Sequence, residues 1–263
     1  MAFDVNNFVV DHVIRGIMVN KLGEFRFGIN QITDPSLSIT SDTNEAVDAL
    51  GSPIAIFDRN KRATFSANNS IFDLGLYAAQ NGTEKVVASA TNKIVSPAFE
   101  TIDIEKDMTK VTLKNAPIDP ITEIHVLKGD GAMGTRYTVS SSAGDSTFVY
   151  SAETHEITLP TGVKPGQSIF VMYNYETDEA VSVECTAVDF PKEGQFIMEV
   201  LGTDVCDPTT LIHAYIVFPN AKLDANVDVS FTTDGNHPFS IICQQSYCDK
   251  KKRLFKIVIP NEE

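Results

Sequence analysis

The chain has 263 residues, of which 43% are hydrophobic and 21% charged. This ordinary globular composition suits one large all-β domain or two smaller domains. The formal net charge of −14 repels duplex phosphates and argues against sequence-specific nucleic-acid binding. No apolar run approaches the ~18–20 residues that span a bilayer, and residues 1–7 lack the features of a secretory signal, so neither a membrane segment nor secretion is predicted.

Strand-like sequence dominates the N-terminal part of the chain. Residues 9–19 are rich in apolar side chains and predict a strand. Apolar and polar side chains alternate in residues 25–30, which is the period of a strand with one buried face. Residues 37–41 predict a third strand with the same alternation.

A long polar stretch follows the third predicted strand. Residues 42–52 are acidic and contain Gly51, and they predict a loop. Loops of this length between strands are often functional, although a mobile hairpin tip explains the composition equally well. Residues 53–57 and 63–66 predict two further strands, joined as a hairpin by the polar residues 58–62.

One segment has helical rather than strand-like spacing. Between Ile71 and Gln80 the apolar side chains recur at the period of an amphipathic helix. Ser70 is placed to cap the helix, with Asp73 three residues later as the second member of a capping box. Asn81 and Gly82 supply the stop signal.

After Pro97 the apolar stretches become shorter and are separated by turn signals. They predict seven strands, at residues 111–113, 124–127, 137–139, 148–150, 157–159, 169–175 and 181–183. Seven short strands are typical of an immunoglobulin-like sandwich. The chain contains no Trp, so the Cys…Trp…Cys signature of a true immunoglobulin domain is absent.

The C-terminal part returns to longer strands, predicted at residues 195–201, 211–218, 227–232, 240–243 and 253–259. The simplest scheme makes residues 1–97 and 187–263 one discontinuous β unit. Residues 98–186 then form an inserted sandwich.

Motifs for chemistry are weak. Residues 129–134 satisfy G-x-G-x-x-G, but a strand-like segment follows where the dinucleotide motif needs a helix. No nucleophile or acid–base signature is present. The sequence therefore predicts a protein that is not an enzyme and that binds no cofactor.

The cysteines predict reduced thiols rather than a disulfide framework, because such frameworks belong to short secreted domains. The four are Cys185, Cys206, Cys243 and Cys248. A zinc site could be formed from Cys206, Cys243 and Cys248 together with His237, because thiolate and imidazole are ligands that zinc prefers. Their spacing favours buried thiols over a metal site, so no metal is predicted.

The densest basic run stands near the C-terminus and consists of Lys250, Lys251, Lys252 and Arg253. A solvated turn explains it most simply. The alternative is a charge-complementary contact with an acidic surface on a neighbouring copy, since such contacts fix the register of an interface.

The order of these features resembles bacteriophage tail tube proteins, the major tail protein family. The resemblance covers about two-thirds of the chain and leaves out the middle segment. It is carried by residues 25–30, 37–42, 53–58, 62–66, 71–82, 190–196, 214–222 and 234–239. The fold that it implies is mostly β, a tail-tube-type barrel or sandwich with one short helix, to which the immunoglobulin-like sandwich is added as an insertion.

The resemblance also implies a function. Tube subunits of this kind form hexameric rings that stack head to tail, and DNA passes through the lumen without specific binding. The expected partners are further copies of the chain and other tail proteins, namely the tape measure, the terminator and the baseplate or tip. The expected location is the virion, after assembly in the bacterial cytoplasm.

By the same resemblance, a stacking loop would contact the next ring. Its residues would be Asp42, Thr43, Asn44, Glu45, Ala46, Val47, Asp48, Ala49, Leu50 and Gly51. The inserted sandwich would decorate the outside of the tube.

Two other functions remain open on the sequence alone. One is a head decoration protein, or another virion protein, with an immunoglobulin-like module. The other is a receptor- or carbohydrate-binding sandwich in which Tyr173, Tyr175 and Tyr247 line a sugar site, although strand packing explains the first two tyrosines better.

Overall fold

The computed structural model describes residue 5 and residues 7–233, 236–245 and 250–261. The prediction of a mostly β chain with one short helix is confirmed. In chain order the elements are β1 (Phe8–Val19), β2 (Phe25–Ile29), β3 (Ile32–Val47), β4 (Pro53–Asn69), α1 (Leu74–Gln80), β5 (Val86–Val87), β6 (Ile94–Asp103), β7 (Lys110–Thr112), β8 (Glu123–Leu127), β9 (Met133–Val139), β10 (Thr147–Ser151), β11 (Glu156–Thr158), β12 (Ser168–Thr177), β13 (Val181–Ser182), β14 (Gly194–Asp204), β15 (Asp207–Leu223), β16 (His237–Cys243) and β17 (Lys256–Val258).

The chain divides into two compact units. The first contains the described residues up to Lys85 and from Val183 onward, and the second contains Val86–Ser182. The sequence-based boundaries lie after residues 97 and 186. The structure divides the chain earlier because β6 begins at Ile94 and pairs along its length with β12, and because β5 pairs with β13.

The first unit is built on one eight-stranded sheet. Its strand order is β2-β1-β14-β15-β16-β4-β3, and β17 pairs with β15 beside this path. The pairing along that path is antiparallel. Four phenylalanines on four strands of the sheet pack together with ring centroids 5.7–6.3 Å apart, and they are Phe65, Phe196, Phe218 and Phe239. Alternate residues of β14 point into this core, as its period-2 sequence predicts.

The predicted hairpin around residues 58–62 is wrong. These residues are part of β4, which runs without interruption from Pro53 to Asn69 and pairs with β3. The predicted loop at residues 42–52 is also mostly strand, because β3 continues to Val47 and only the short turn that follows joins it to β4. Both corrections have one cause, a continuous ladder of strand pairing that outweighs the turn-forming preference of the polar residues.

The helix α1 is confirmed, but it begins later than predicted. Its N-cap is Asp73, whose Oδ1 accepts a hydrogen bond from the backbone N–H of Leu76 at 2.7 Å. Ser70 does not cap the helix because it continues the pairing of β4 with β3, where its backbone N–H donates to the carbonyl of Gln31 at 3.0 Å. The stop signal at Asn81 and Gly82 is correct, since Asn81 is the C-cap and Gly82 has φ +74°.

The second unit has its own core and its own sheets. Seven strands follow the order β6-β12-β8-β9-β10-β11-β7, in which β9 and β10 are parallel. The two strands that lead into and out of the unit, β5 and β13, pair with each other. Each of the seven strands predicted after Pro97 overlaps an observed strand, and β5 and β6 complete the unit. The immunoglobulin likeness of this unit stays a prediction.

One predicted strand is absent. Residues 227–232 carry apolar side chains at alternate positions but form no strand. Among the described residues nothing pairs with this segment, and Phe231 is 77% exposed. Alternation by itself does not make a strand where no neighbour supplies a hydrogen-bonding edge.

Candidate assembly surfaces

The longest strand pair of the first unit extends beyond its sheet. β16 pairs with β4 only from Ala63 to Asn69, whereas β3 and β4 remain paired with each other as far as Val47 and Pro53. In the described part of the chain no third strand accompanies this extension. We call residues 40–62 the arm. Its first strand, residues 40–47, is roughly 26 Å long at the usual rise of a β-strand.

The tip of the arm is a tight turn built around Asp48. Its Oδ1 accepts hydrogen bonds from the backbone N–H groups of Leu50, at 2.9 Å, and Ser52, at 2.8 Å. Gly51 has φ +83°, the left-handed region that glycine adopts without steric conflict. All ten residues predicted for the stacking loop therefore lie in the arm, six in β3 and four in the turn. Their role in stacking stays a prediction.

A bulge sits where the arm leaves the sheet. Thr40 pairs with Arg62 and Asp42 pairs with Arg59, so Ser41 faces two residues of β4. Asn60 takes up the extra length with φ +52°, and its Nδ2 donates to Asp42 Oδ2 at 3.1 Å. Asparagine tolerates this conformation better than most residues do. The bulge explains how the polar residues 58–62 remain within one strand.

The arm exposes apolar side chains that a soluble monomer usually covers. Near its tip Leu50 is 92% exposed, Ile54 69% and Ile56 62%. A two-stranded ribbon with both faces in water is marginally stable by itself, and exposed apolar patches commonly mark interaction sites. These side chains fit a surface that becomes covered on assembly.

Acidic and basic side chains occupy different parts of the arm. Residues 42–58 contain four carboxylates and neither Lys nor Arg. The carboxylates are those of Asp42, Glu45, Asp48 and Asp58. The next four residues, 59–62, contain three cations. The distal arm is therefore acidic and its base is basic, and the change occurs between Asp58 and Arg59.

The fold brings the C-terminal basic run to the base of the arm. Lys252 lines one groove together with Lys61 and Arg62, and Ile242 and Leu254 provide apolar lining in it. We call this the basic groove; its volume is about 810 Å³. The predicted contact residues Lys250, Lys251, Lys252 and Arg253 are all exposed. Lys251 and Arg253 already make interactions within the chain, and Lys252 is the member of the run that lines the groove.

The sheet of the first unit ends in two open edges. Among the described residues, β2 pairs only with β1 and β3 pairs only with β4. Strand edges of this kind present unpaired backbone groups and are sites at which another chain can add a strand.

The described residues offer little for chemistry. They contain no group of three or more His, Cys, Asp or Glu side chains that could hold a metal ion. Cys185, Cys206 and Cys243 are free thiols, and burial raises the pKa of Cys243 to about 11. Cys248 lies outside the described residues. The glycines at 129–134 belong to the β8–β9 hairpin, and β9 follows where a dinucleotide site would need a helix.

Of the three tyrosines considered for a sugar site, the two that the structure describes do not form an exposed platform. Tyr173 is buried, and its hydroxyl donates to the carboxylate of Glu100. Tyr175 is half-buried against the ring of Tyr173 at 6.4 Å, and Tyr247 lies outside the described residues. No local motif in the sequence signals the partnership of Glu100 and Tyr173. In the described part of the chain no helix is long and apolar enough to cross a membrane.

Comparison with known proteins assigns the chain to a protein family. A family model described as the YomU/Tube protein family matches residues 12–249. A search of curated proteins finds no match. The matched range takes in the arm and most of both units, including the middle segment that the resemblance in the sequence left out.

Proposed function

We propose a ring-and-stack assembly for this chain, which belongs to the YomU/Tube protein family and is a structural tail tube protein of a phage. In this proposal six copies form a ring and rings stack head to tail into the tube through which the genome leaves the virion. The observation that carries the proposal is the arm, an exposed two-stranded extension of the sheet that lacks a partner of its own among the described residues.

Ring closure is supported by the two open edges of the first unit. An open edge on an isolated subunit is an aggregation hazard. Contacts between unlike surfaces of identical copies generate a closed ring when their rotation closes. In the proposal β2 and β3 lie at the sides of the subunit, and neighbouring copies cover these edges around the ring.

Stacking is supported by the composition of the arm. Its exposed apolar side chains lie beyond the sheet, where an adjacent ring can cover them. Burying apolar surface is the dominant favourable term in most protein association. The ten residues from Asp42 to Gly51 are then the inter-ring contact.

The remaining expectations follow from the same assembly. The net charge of −14 disfavours adhesion of DNA to the tube wall, so the genome passes without specific binding. The second unit decorates the outside. The tape measure, the terminator and the baseplate or tip are the other partners, assembly takes place in the bacterial cytoplasm, and the protein acts as a structural element rather than as an enzyme.

Electron microscopy of the purified protein tests the proposal, with wild type expected to show sixfold rings and stacked tubes. The informative variant replaces residues 43–58 by Asn-Gly, a two-residue hairpin turn that keeps Asp42 opposite Arg59. This truncation shortens both strands of the arm together and keeps its base, so no unpaired strand is left behind. The expected result is a folded protein that forms rings and no tubes.

A matched control replaces residues 129–131, the tip of the turn between β8 and β9, by the same Asn-Gly turn, which keeps Lys128 opposite Ala132. This variant should form tubes as the wild type does. A wild-type protein that stays monomeric at high concentration would overturn the ring, and a truncated variant that still forms tubes would overturn the role of the arm.

A further inference from the structure

We propose that the acidic distal arm of one copy docks in the basic groove of another copy in the next ring, as an electrostatic contact that sets the direction of stacking. This inference rests on the proposed function and adds the receiving surface, which the resemblance to tube proteins does not specify. Both partners of the contact are present on each copy, as a head-to-tail assembly requires.

The donor surface combines acidic and apolar side chains on one face of the arm. Glu45 pairs with Ile56 across the two strands, and Asp58 lies two residues beyond Ile56 on the same strand. Because directly opposed residues share a face and side chains alternate along a strand, these three side chains point in the same direction. All three are exposed, and no ion pair within the described chain occupies either carboxylate.

The receiving surface has the complementary composition. Lys61, Arg62 and Lys252 provide positive charge around the basic groove, while Ile242 and Leu254 provide apolar lining. None of the three cations makes an ion pair with a carboxylate in the described part of the chain. Asp224 also lines the groove, so the positive charge there exceeds the negative charge without being uniform.

Within one copy, only the base of the arm, residues 60–62, lines the groove. The acidic face begins at Asp58, on the far side of the bulge, and the arm extends away from its base. The arm of a second copy can approach the groove with its tip. Complementary potentials then favour this orientation, whereas two acidic arms placed tip to tip would repel each other.

Charge reversal tests the contact by electron microscopy. The Glu45→Lys/Asp58→Lys variant reverses the charge on the acidic face of the arm, and the Lys61→Glu/Lys252→Glu variant reverses the charge of the groove. Each is expected to form rings but to lose tubes. The quadruple variant carries both reversals and restores complementarity, so it should recover tubes. Circular dichroism on each variant establishes that it is folded.

Asp178→Lys/Glu179→Lys, in exposed positions of the second unit, is the control for net charge and should form tubes normally. Salt supplies a measurement without mutation. Raising ionic strength from about 0.05 M to about 1 M shortens the screening length to about 3 Å, and the critical concentration for wild-type tubes should rise several-fold.

The outcomes separate the two proposals. The docking contact is wrong if wild type forms tubes and either double variant forms them equally well. It is also wrong if the folded quadruple variant forms rings without tubes. In both cases the proposed tube assembly still holds. If wild type forms no rings, the assembly is wrong and the contact is wrong with it.

Discussion

The imidazole of His237 and the side-chain amide of Gln80 form a hydrogen bond of 2.7 Å, from Nε2 to Oε1, in the core of the first unit. Neither residue is more than 2% exposed. Gln80 Nε2 donates to the carbonyl of Pro238 at 3.0 Å, so its Oε1 is the acceptor and His237 Nε2 carries the proton. His237 Nδ1 in turn accepts the backbone N–H of Asp73 at 3.3 Å. A neutral imidazole thus ties both ends of α1 to β16.

This arrangement predicts a loss of stability in acid. Burial lowers the pKa of His237 below its ordinary value of 6.5, although the nearby Asp73 carboxylate partly opposes the shift. Because the folded pKa is lowered, the contribution to stability is complete above pH 6.5 and is lost as pH falls below that value. The slope from this group approaches at most about 1.4 kcal/mol per pH unit.

Urea unfolding of the wild type and of His237→Gln between pH 7.5 and 5 measures this effect. The variant should be less stable at pH 7.5 and should show a smaller decline toward pH 5. His12→Gln, at an exposed position, is the control and should retain the wild-type slope. If the free energy of unfolding fell equally steeply with pH in wild type and in His237→Gln, the prediction would be contradicted.

A second buried pair predicts sensitivity to alkali in the second unit. Glu100 Oε1 accepts hydrogen bonds from the hydroxyl of Tyr173 and from the backbone N–H of Lys114, and that hydroxyl accepts the N–H of Asn115. Burial, together with the hydrogen bond to Glu100, raises the pKa of Tyr173 to about 12. Its stabilising contribution is therefore complete below pH ~10 and is lost as pH rises toward 12.

Tyr173→Phe removes one of the hydrogen bonds that the buried carboxylate of Glu100 accepts. The substitution should therefore reduce the free energy of unfolding by about 1–3 kcal/mol at pH 7. It should also flatten the decline in stability above pH ~10. Tyr175→Phe, which retains the ring contact with Tyr173, should change stability much less. Equal effects of the two substitutions would show that the hydroxyl of Tyr173 has no special role.

Gly82 is predicted to be irreplaceable at the end of α1. Its φ is +74°, and a Cβ at this position would lie 2.2 Å from the carbonyl oxygen of Phe190. Gly51 has a similar φ of +83° but has nothing within 4 Å of a Cβ. Gly51→Ala should cost about 1–2 kcal/mol through backbone strain alone, whereas Gly82→Ala should cost distinctly more. Thermal unfolding of both variants compares them, and equal losses would mean that the Phe190 backbone moves aside freely.

The free thiols predict an order of chemical modification. Cys185 and Cys206 are exposed, whereas Cys243 is buried and its raised pKa disfavours the reactive thiolate. Iodoacetamide at pH 8 should modify Cys243 at least about tenfold more slowly than the other two. Peptide mass spectrometry assigns each site. Fast labelling of Cys243 in the folded protein would show that its end of β16 opens.

Local patterns predicted most of the elements because alternation and helix stop signals act within a few residues. Phe27 and Ile29 alternate with polar neighbours and are buried in β2 as expected. The helix α1 begins later than the sequence predicts because Ser70 continues the pairing of β4 with β3 through its bond to Gln31, a partner that no local pattern reveals. Residues 58–62 read as a turn because their side chains are polar, yet a bulge at Asn60 and pairing with β3 keep them in a strand.

Local sequence patterns are enough to predict a mostly β chain with one helix, and the order of these elements points to the tail tube family. Side-chain period, caps and glycines are local properties, so they are readable one segment at a time. The folded chain is needed to show that Lys252 lines one groove with Lys61 and Arg62 and that an acidic arm extends from the sheet beside it. These juxtapositions depend on which strands pair, and strand pairing between distant segments is a property of the whole fold.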